Sequence, residues 1–126
     1  TGLGEKVNLL GTTDNVYQFY GRASVMVQTS RWEGFGMTIL EAMSCGIPVV
    51  AFHNYGPDEI IRDSGDGYLV DDFDTEAFAK KVVEILKQPE QRKQMGKCAI
   101  ERSQDFSLEK VLPLFKQYLE EAAKGL

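Results

Sequence analysis

The sequence predicts an α/β fold: a partial Rossmann-like parallel sheet of about four strands with flanking helices, then a C-terminal helical segment. Three observations predict it. Short apolar runs alternate with stretches of helical period between Lys6 and Val70. The inner runs, Ser24-Val25-Met26-Val27-Gln28 and Pro48-Val49-Val50-Ala51-Phe52, are nearly continuous in apolar residues, as strands covered on both faces are. Beyond Val70 the alternation stops, and three amphipathic stretches follow.

Taken in order, Lys6-Val7-Asn8-Leu9-Leu10-Gly11 reads as a first strand ended by glycine. Thr13 or Asp14 can cap a helix to about Ala23, with Val16, Phe19 and Tyr20 on one face. Ser24–Gln28 is the second strand. The spacing then predicts a helix from Met37 to Ser44, stopped at Gly46. Pro48–Phe52 is the third strand, with proline at its first position. A short helix runs from Pro57 to Arg62, and Gly67–Val70 is the fourth strand. Asp74 caps a helix over Thr75 to about Lys87, Pro89 opens another to about Gln104, and Ser107 starts a third to about Ala123, bent at Pro113.

The composition bounds the function. A chain of 126 residues, 43% hydrophobic and 26% charged, is one domain (1–126) with one core. The formal charge of −5 and the lack of a basic stripe argue against a nucleic-acid partner. No apolar run reaches membrane-spanning length, so no transmembrane segment is expected. The start, Thr1-Gly2-Leu3-Gly4-Glu5, has no features of a secretory signal. With no initiating methionine it reads as cut from something longer. Cys45 and Cys98, far apart, read as thiols of a reducing compartment, and cytoplasmic placement is expected. The single histidine, His53, has no Cys/His cluster around it, so no metal site is expected.

The informative stretch is Arg31-Trp32-Glu33-Gly34-Phe35-Gly36-Met37-Thr38-Ile39-Leu40-Glu41. It follows a strand and opens a helix, so it lies beyond a carboxyl end of the sheet, where ligands of such sheets bind. The helix start offers unpaired N–H groups and a positive dipole end, which suit a phosphate. Gly34 and Gly36 let backbone approach a ligand closely. Glu33 precedes that helix, and Glu41 lies about 6 Å along it at roughly 1.5 Å per residue. Two carboxylates flanking a phosphate site match a nucleotide-sugar, whose hydroxyls lie on both sides of a diphosphate. The competing reading makes Glu33 a solvated loop residue and Glu41 a surface position of an amphipathic helix.

The run from Glu33 to Val50 resembles the E-x7-E signature of retaining GT-B glycosyltransferases of the family-4 type. Gly56-Pro57-Asp58-Glu59-Ile60-Ile61 and Gly65-Asp66-Gly67-Tyr68-Leu69-Val70 resemble the loop, helix and strand that follow it there, and Lys6–Gly11 the strand before. The resemblance covers nearly the whole chain, as the C-terminal part of the nucleotide-sugar-binding domain. It implies that Glu33 is the catalytic residue and binds donor-sugar hydroxyls, and that Glu41 binds ribose hydroxyls. Backbone at Gly34, Phe35, Gly36, Met37 and Thr38 would meet the sugar and diphosphate. It implies transfer of a hexose with retention from a nucleotide diphosphate sugar, expected to be UDP-linked with a GDP-linked donor open, and no metal or other cofactor.

The same resemblance implies absent parts. The N-terminal acceptor domain of the parent chain and the basic pair on the diphosphate have no counterpart, and Arg22 and Arg31 do not match that pair. The fragment is therefore expected to be inactive alone. Membrane-peripheral association would belong to the full-length protein. The first strand would lack its usual neighbours, so it is expected either to pair directly with Ser24–Gln28 or to form an edge-strand dimer. The alternative function is a non-catalytic nucleotide-binding or regulatory Rossmann-like module. Asp72-Phe73-Asp74 imitates a metal-binding D-x-D but precedes a helix, where Asp74 is expected to cap. Trp32 could stack on a base but is expected to pack at the loop edge, and the choice for Ser30 between ligand contact and loop shaping stays open.

Overall fold

Val49, Val50, Ala51 and Phe52 are all buried, which requires cover on both faces of the strand they form. The computed structural model describes residues 2–125 and supplies that cover. The strands are β1 (Met26–Gln28), β2 (Val49–Phe52) and β3 (Gly67–Val70), in spatial order β1-β2-β3 and all parallel. Met26 is in register with Val49, and Val49 with Gly67. The helices are α1 (Tyr17–Tyr20), α2 (Met37–Ser44), α3 (Tyr55–Ile60), α4 (Thr75–Lys87), α5 (Pro89–Ser103) and α6 (Leu108–Lys124).

Alternation along β2 divides the core. Val49 and Ala51 pack with Ile39, Ala42 and Met43 of α2 and with Ala99 of α5. Val50 and Phe52 point the other way, onto Phe78 and Ile85 of α4 and Met95 of α5. Tyr68 shares that second layer; its hydroxyl donates to Glu84 and accepts from Gln91 Nε2 at 3.0 Å, while Lys81 pairs with Glu84 at 3.1 Å. Before β3, the Asp66 carboxylate is fully buried. It accepts the Arg62 backbone N–H at 2.8 Å and Arg62 Nε–H at 2.7 Å, which closes the α3–β3 loop.

Among the described residues the sheet has three strands, not four. The expected first strand, Lys6–Gly11, does not form: Gly4–Lys6 is a 3-10 turn and the following residues are exposed, Leu9 at 95%. A strand needs a ladder partner, and among the described residues none is offered. Nor does it pair with β1, whose only ladder partner among the described residues is β2. The helix expected from Thr13 or Asp14 shrinks to one turn, Tyr17–Tyr20, whose N-cap Val16 offers no side-chain acceptor; Thr13 Oγ1 accepts the Asn15 N–H at 3.2 Å in a local turn before it. Helix α3 starts two residues early, with Pro57 still in its first turn, where no N–H is missed. Asp74 caps α4 as expected, accepting the Ala77 N–H at 2.9 Å.

The C-terminal segment is tied back to α3. Arg102 donates to the carbonyls of Ile60 at 2.8 Å and Glu59 at 2.6 Å, satisfying the end of that helix. It also lies over the Phe106 ring, 4.7 Å from its centroid. Helix α6 buries no residue against the rest of the chain and leaves Phe115, Tyr118 and Leu119 exposed. Among the described residues no helix is long and apolar enough to cross a membrane.

Candidate functional site

The loop from β1 to α2 crosses the carboxyl edge of the sheet and is braced from beneath. Gln28 Nε2, at the end of β1, donates to Ser30 Oγ at 3.0 Å and to Glu33 Oε2 at 2.9 Å. Asn54, just beyond β2, works on the same loop. Its Nδ2 donates to the carbonyls of Ser30 and Phe52, both at 3.3 Å, and its Oδ1 accepts the Glu33 N–H at 3.2 Å. The Gly56 N–H donates to the Glu33 carbonyl at 3.2 Å. A side chain at Gly56 would strike the Phe35 carbonyl, so the glycine permits α3 to sit this close. Glu33 is thus half-buried and fixed at backbone and at one carboxylate oxygen. Its Oε1 has no protein donor among the described residues.

Gly36 turns the chain into α2 with φ +101° and ψ 51°, a left-handed conformation that favours glycine. As the N-cap residue it carries no side chain to accept a hydrogen bond. Its carbonyl takes the Ile39 N–H at 2.9 Å and the Leu40 N–H at 3.3 Å. Among the described residues the N–H groups of Met37 and Thr38 meet no acceptor, and the positive end of the dipole lies behind them.

Glu41 lies on the flank of α2 beneath α1, half-buried and not on a solvated face. The Tyr20 hydroxyl donates to its Oε2 at 3.3 Å and lies 3.4 Å from the Thr38 carbonyl. Burial, then the charge and hydrogen bond of Glu41, push the Tyr20 hydroxyl up to about 12, so it stays a donor at neutral pH.

The sequence singled out Glu33, Gly34, Phe35, Gly36, Met37, Thr38 and Glu41, which lie in this one loop and helix start. It missed the braces Tyr20, Gln28 and Asn54, whose contacts lie up to 24 residues away. Ser30 takes part in the bracing of this loop through its hydroxyl and its carbonyl. Phe35 packs edge-on against Phe106, with centroids 5.7 Å apart. Trp32 does not pack at the loop edge; it is 82% exposed. It stands with Arg31, His53, Tyr55, Asp58 and Phe73 around a cleft of about 770 Å³ over the ends of β2 and β3. His53 Nδ1 is 2.9 Å from Asp58 Oδ1 there. Among the described residues no group of His, Cys, Asp and Glu could hold a metal ion.

Residues 1–102 match the family described as Glycosyl transferases group 1. The chain belongs to that family. It is therefore of the family-4 type, as the run from Glu33 to Val50 suggested. N-acetyl-alpha-D-glucosaminyl L-malate synthase of Bacillus anthracis is 33% identical over 113 residues, 89% of this chain and 30% of that protein. Poly(glycerol-phosphate) alpha-glucosyltransferase of Bacillus subtilis is 29% identical over 108 residues, 85% of this chain and 16% of that protein. Among solved structures, sucrose-phosphate synthase from Thermosynechococcus elongatus superposes with a TM-score of 0.87 at 31% identity, over 98% of this chain and 32% of that one. A point mutant of S. aureus TarM, solved with fondaparinux, alpha-GlcNAc-glycerol and UDP, gives 0.86 at 30% identity, over 91% of this chain and 24% of that one. This group 1 chain thus spans about a third or less of the length of these relatives.

Proposed function

We propose that this chain is the donor-gripping part of a retaining hexosyltransferase that uses a nucleotide diphosphate sugar, UDP-linked. The observation that carries the reading is the open N–H pair of Met37 and Thr38 between two half-buried, braced carboxylates. The diphosphate sits on those N–H groups and on the backbone of Gly34 to Gly36. Glu41, steadied by Tyr20, accepts the ribose hydroxyls. Glu33, steadied by Gln28 and Asn54, accepts hydroxyls of the transferred sugar through its unpaired Oε1.

In transfer, an acceptor hydroxyl oxygen bonds to the anomeric carbon as the bond from that carbon to the diphosphate oxygen breaks. The leaving oxygen takes the electron pair, and the hydroxyl proton passes to the leaving phosphate. Helix α2 stabilises the charge that grows on that phosphate. Glu33 holds the sugar so that the reacting face stays oriented. The acceptor domain belongs to the rest of the polypeptide, so the 126-residue chain alone does not turn over.

The test is calorimetric titration of the full-length protein with UDP, UDP-glucose, UDP-N-acetylglucosamine and GDP-mannose, beside a Glu41→Ala variant. Loss of hydrogen bonds to a charged group predicts a fall in UDP affinity of about 10–100-fold. If Glu41→Ala binds UDP like the parent, the carboxylate does not hold ribose and the reading fails.

A further inference from the structure

The cleft over the ends of β2 and β3 contains none of the residues assigned above to the donor, yet it shares a wall with them. Asn54 lines it and also holds the Glu33 N–H. Trp32, on its rim, is the residue before Glu33. At about 770 Å³ its size falls within the range of small-molecule sites, roughly 300–1,000 Å³.

Its surface is unusual for solvent-facing protein. Trp32, Tyr55 and Phe73 are 82%, 77% and 58% exposed, three aromatic rings around one opening. The carboxylates of Asp58 and Asp72 line the same cleft. Arg31 is held 4.5 Å from the Phe73 centroid. The contact with Asp58 favours the tautomer that carries the proton on Nδ1 of His53, which leaves Nε2 to accept a hydrogen bond.

This chemistry selects among ligands. An apolar segment would strip water from the charges of Asp58, Asp72 and Arg31 without replacing it. An anion would meet three carboxylates, Glu59 included, against one guanidinium. A neutral ring with one C–H face and a rim of hydroxyls suits all of it: the face lies on an aromatic ring, and the hydroxyls donate to carboxylates and imidazole. We propose that this cleft is an acceptor-side subsite for a hexopyranose unit, placed on the donor domain next to Glu33. The proposal rests on the donor reading above, because the acceptor must reach the anomeric carbon that Glu33 helps to hold.

The test uses saturation-transfer NMR on the full-length protein with UDP present, and a panel of methyl glycosides of glucose, galactose, mannose and N-acetylglucosamine as probes. Trp32→Ala and Tyr55→Ala are the variants; both side chains are exposed, so the fold does not depend on them. The expected result is transfer to ring C–H protons of at least one glycoside, weakened about fivefold in each variant by the lost apolar contact, with UDP affinity unchanged. No transfer from the wild type, or equal transfer in the variants, overturns the proposal; the first outcome leaves the cleft to be covered by another part of the polypeptide. If the wild type binds a glycoside through Trp32 and Tyr55 but does not bind UDP, the donor reading fails, and the acceptor role fails with it.

Discussion

Replacing Gly36 with alanine tests how the donor loop enters its helix. At φ +101° a residue with a Cβ is strained by about 1–3 kcal/mol. The new methyl would also lie 3.0 Å from Ile39 Cδ1 and 3.5 Å from Glu33 Cγ. Ile39 is fully buried and has nowhere to go, so overpacking adds about 1–3 kcal/mol. Part of this relaxes if the first turn of α2 loosens, which leaves a net loss of about 2–4 kcal/mol. With a urea slope near roughly 2 kcal/mol per M, the midpoint should fall by about 1–2 M. The assay is urea unfolding of the 126-residue chain followed by far-UV circular dichroism. Gly34→Ala is the control: its Cβ would meet nothing within 4 Å and its φ is not positive, so it should change stability by less than about 0.5 kcal/mol. A Gly36→Ala loss below about 0.5 kcal/mol, or equal losses at the two glycines, would refute the reasoning.

Two further outcomes are expected from the same unfolding assay. Asp66→Ala removes a buried carboxylate that accepts from the Arg62 backbone and Nε, and should cost about 2–4 kcal/mol; Asp66→Asn, which keeps an acceptor oxygen, should cost less, and equal losses would count against the hydrogen-bond account. Tyr20 and Tyr68 each titrate near 12 in the folded chain, raised by burial first and then by Glu41 and Glu84. The unfolded state loses these protons near pH 10 and the folded state only near 12. Stability from both tyrosines is therefore intact below about pH 10 and lost as the pH rises to about 12. Tyr68→Phe should flatten that decline, and an unchanged slope between about pH 9.5 and about 11.5 would exclude Tyr68 as its source.

Local chemistry made much of this chain legible. Helix α2 runs from Met37 to Ser44 and α4 from Thr75 to Lys87, as their periodicity indicated, because Gly36, Gly46 and Asp74 punctuate them within the sequence itself. Strand β2 was legible because a run buried on both faces has no polar residue to misplace. The segment Lys6–Gly11 has strand composition, but a strand is a relation between two segments, and its partner is not among the described residues. At the site, the sequence displayed the two glutamates and the glycines. It did not display Asn54, Gln28 and Tyr20 as their supports, because those contacts depend on which strand ends lie side by side. Trp32 was misjudged for a similar reason. A tryptophan in a loop usually finds apolar cover, and here the cover that the local chain offers is a cleft.

Arg102 and Phe106 do more than finish the C-terminal segment. Arg102 is bonded to the last carbonyls of α3, the first turn of α3 holds the Glu33 carbonyl through Gly56, and Phe106 abuts Phe35 in the same loop. Two separate linkages therefore run from the root of α6 to the loop that carries Glu33. They act as a pair of tie-rods between the C-terminal segment and that loop. The aim of the carboxylate is thereby set in part from the far end of the chain.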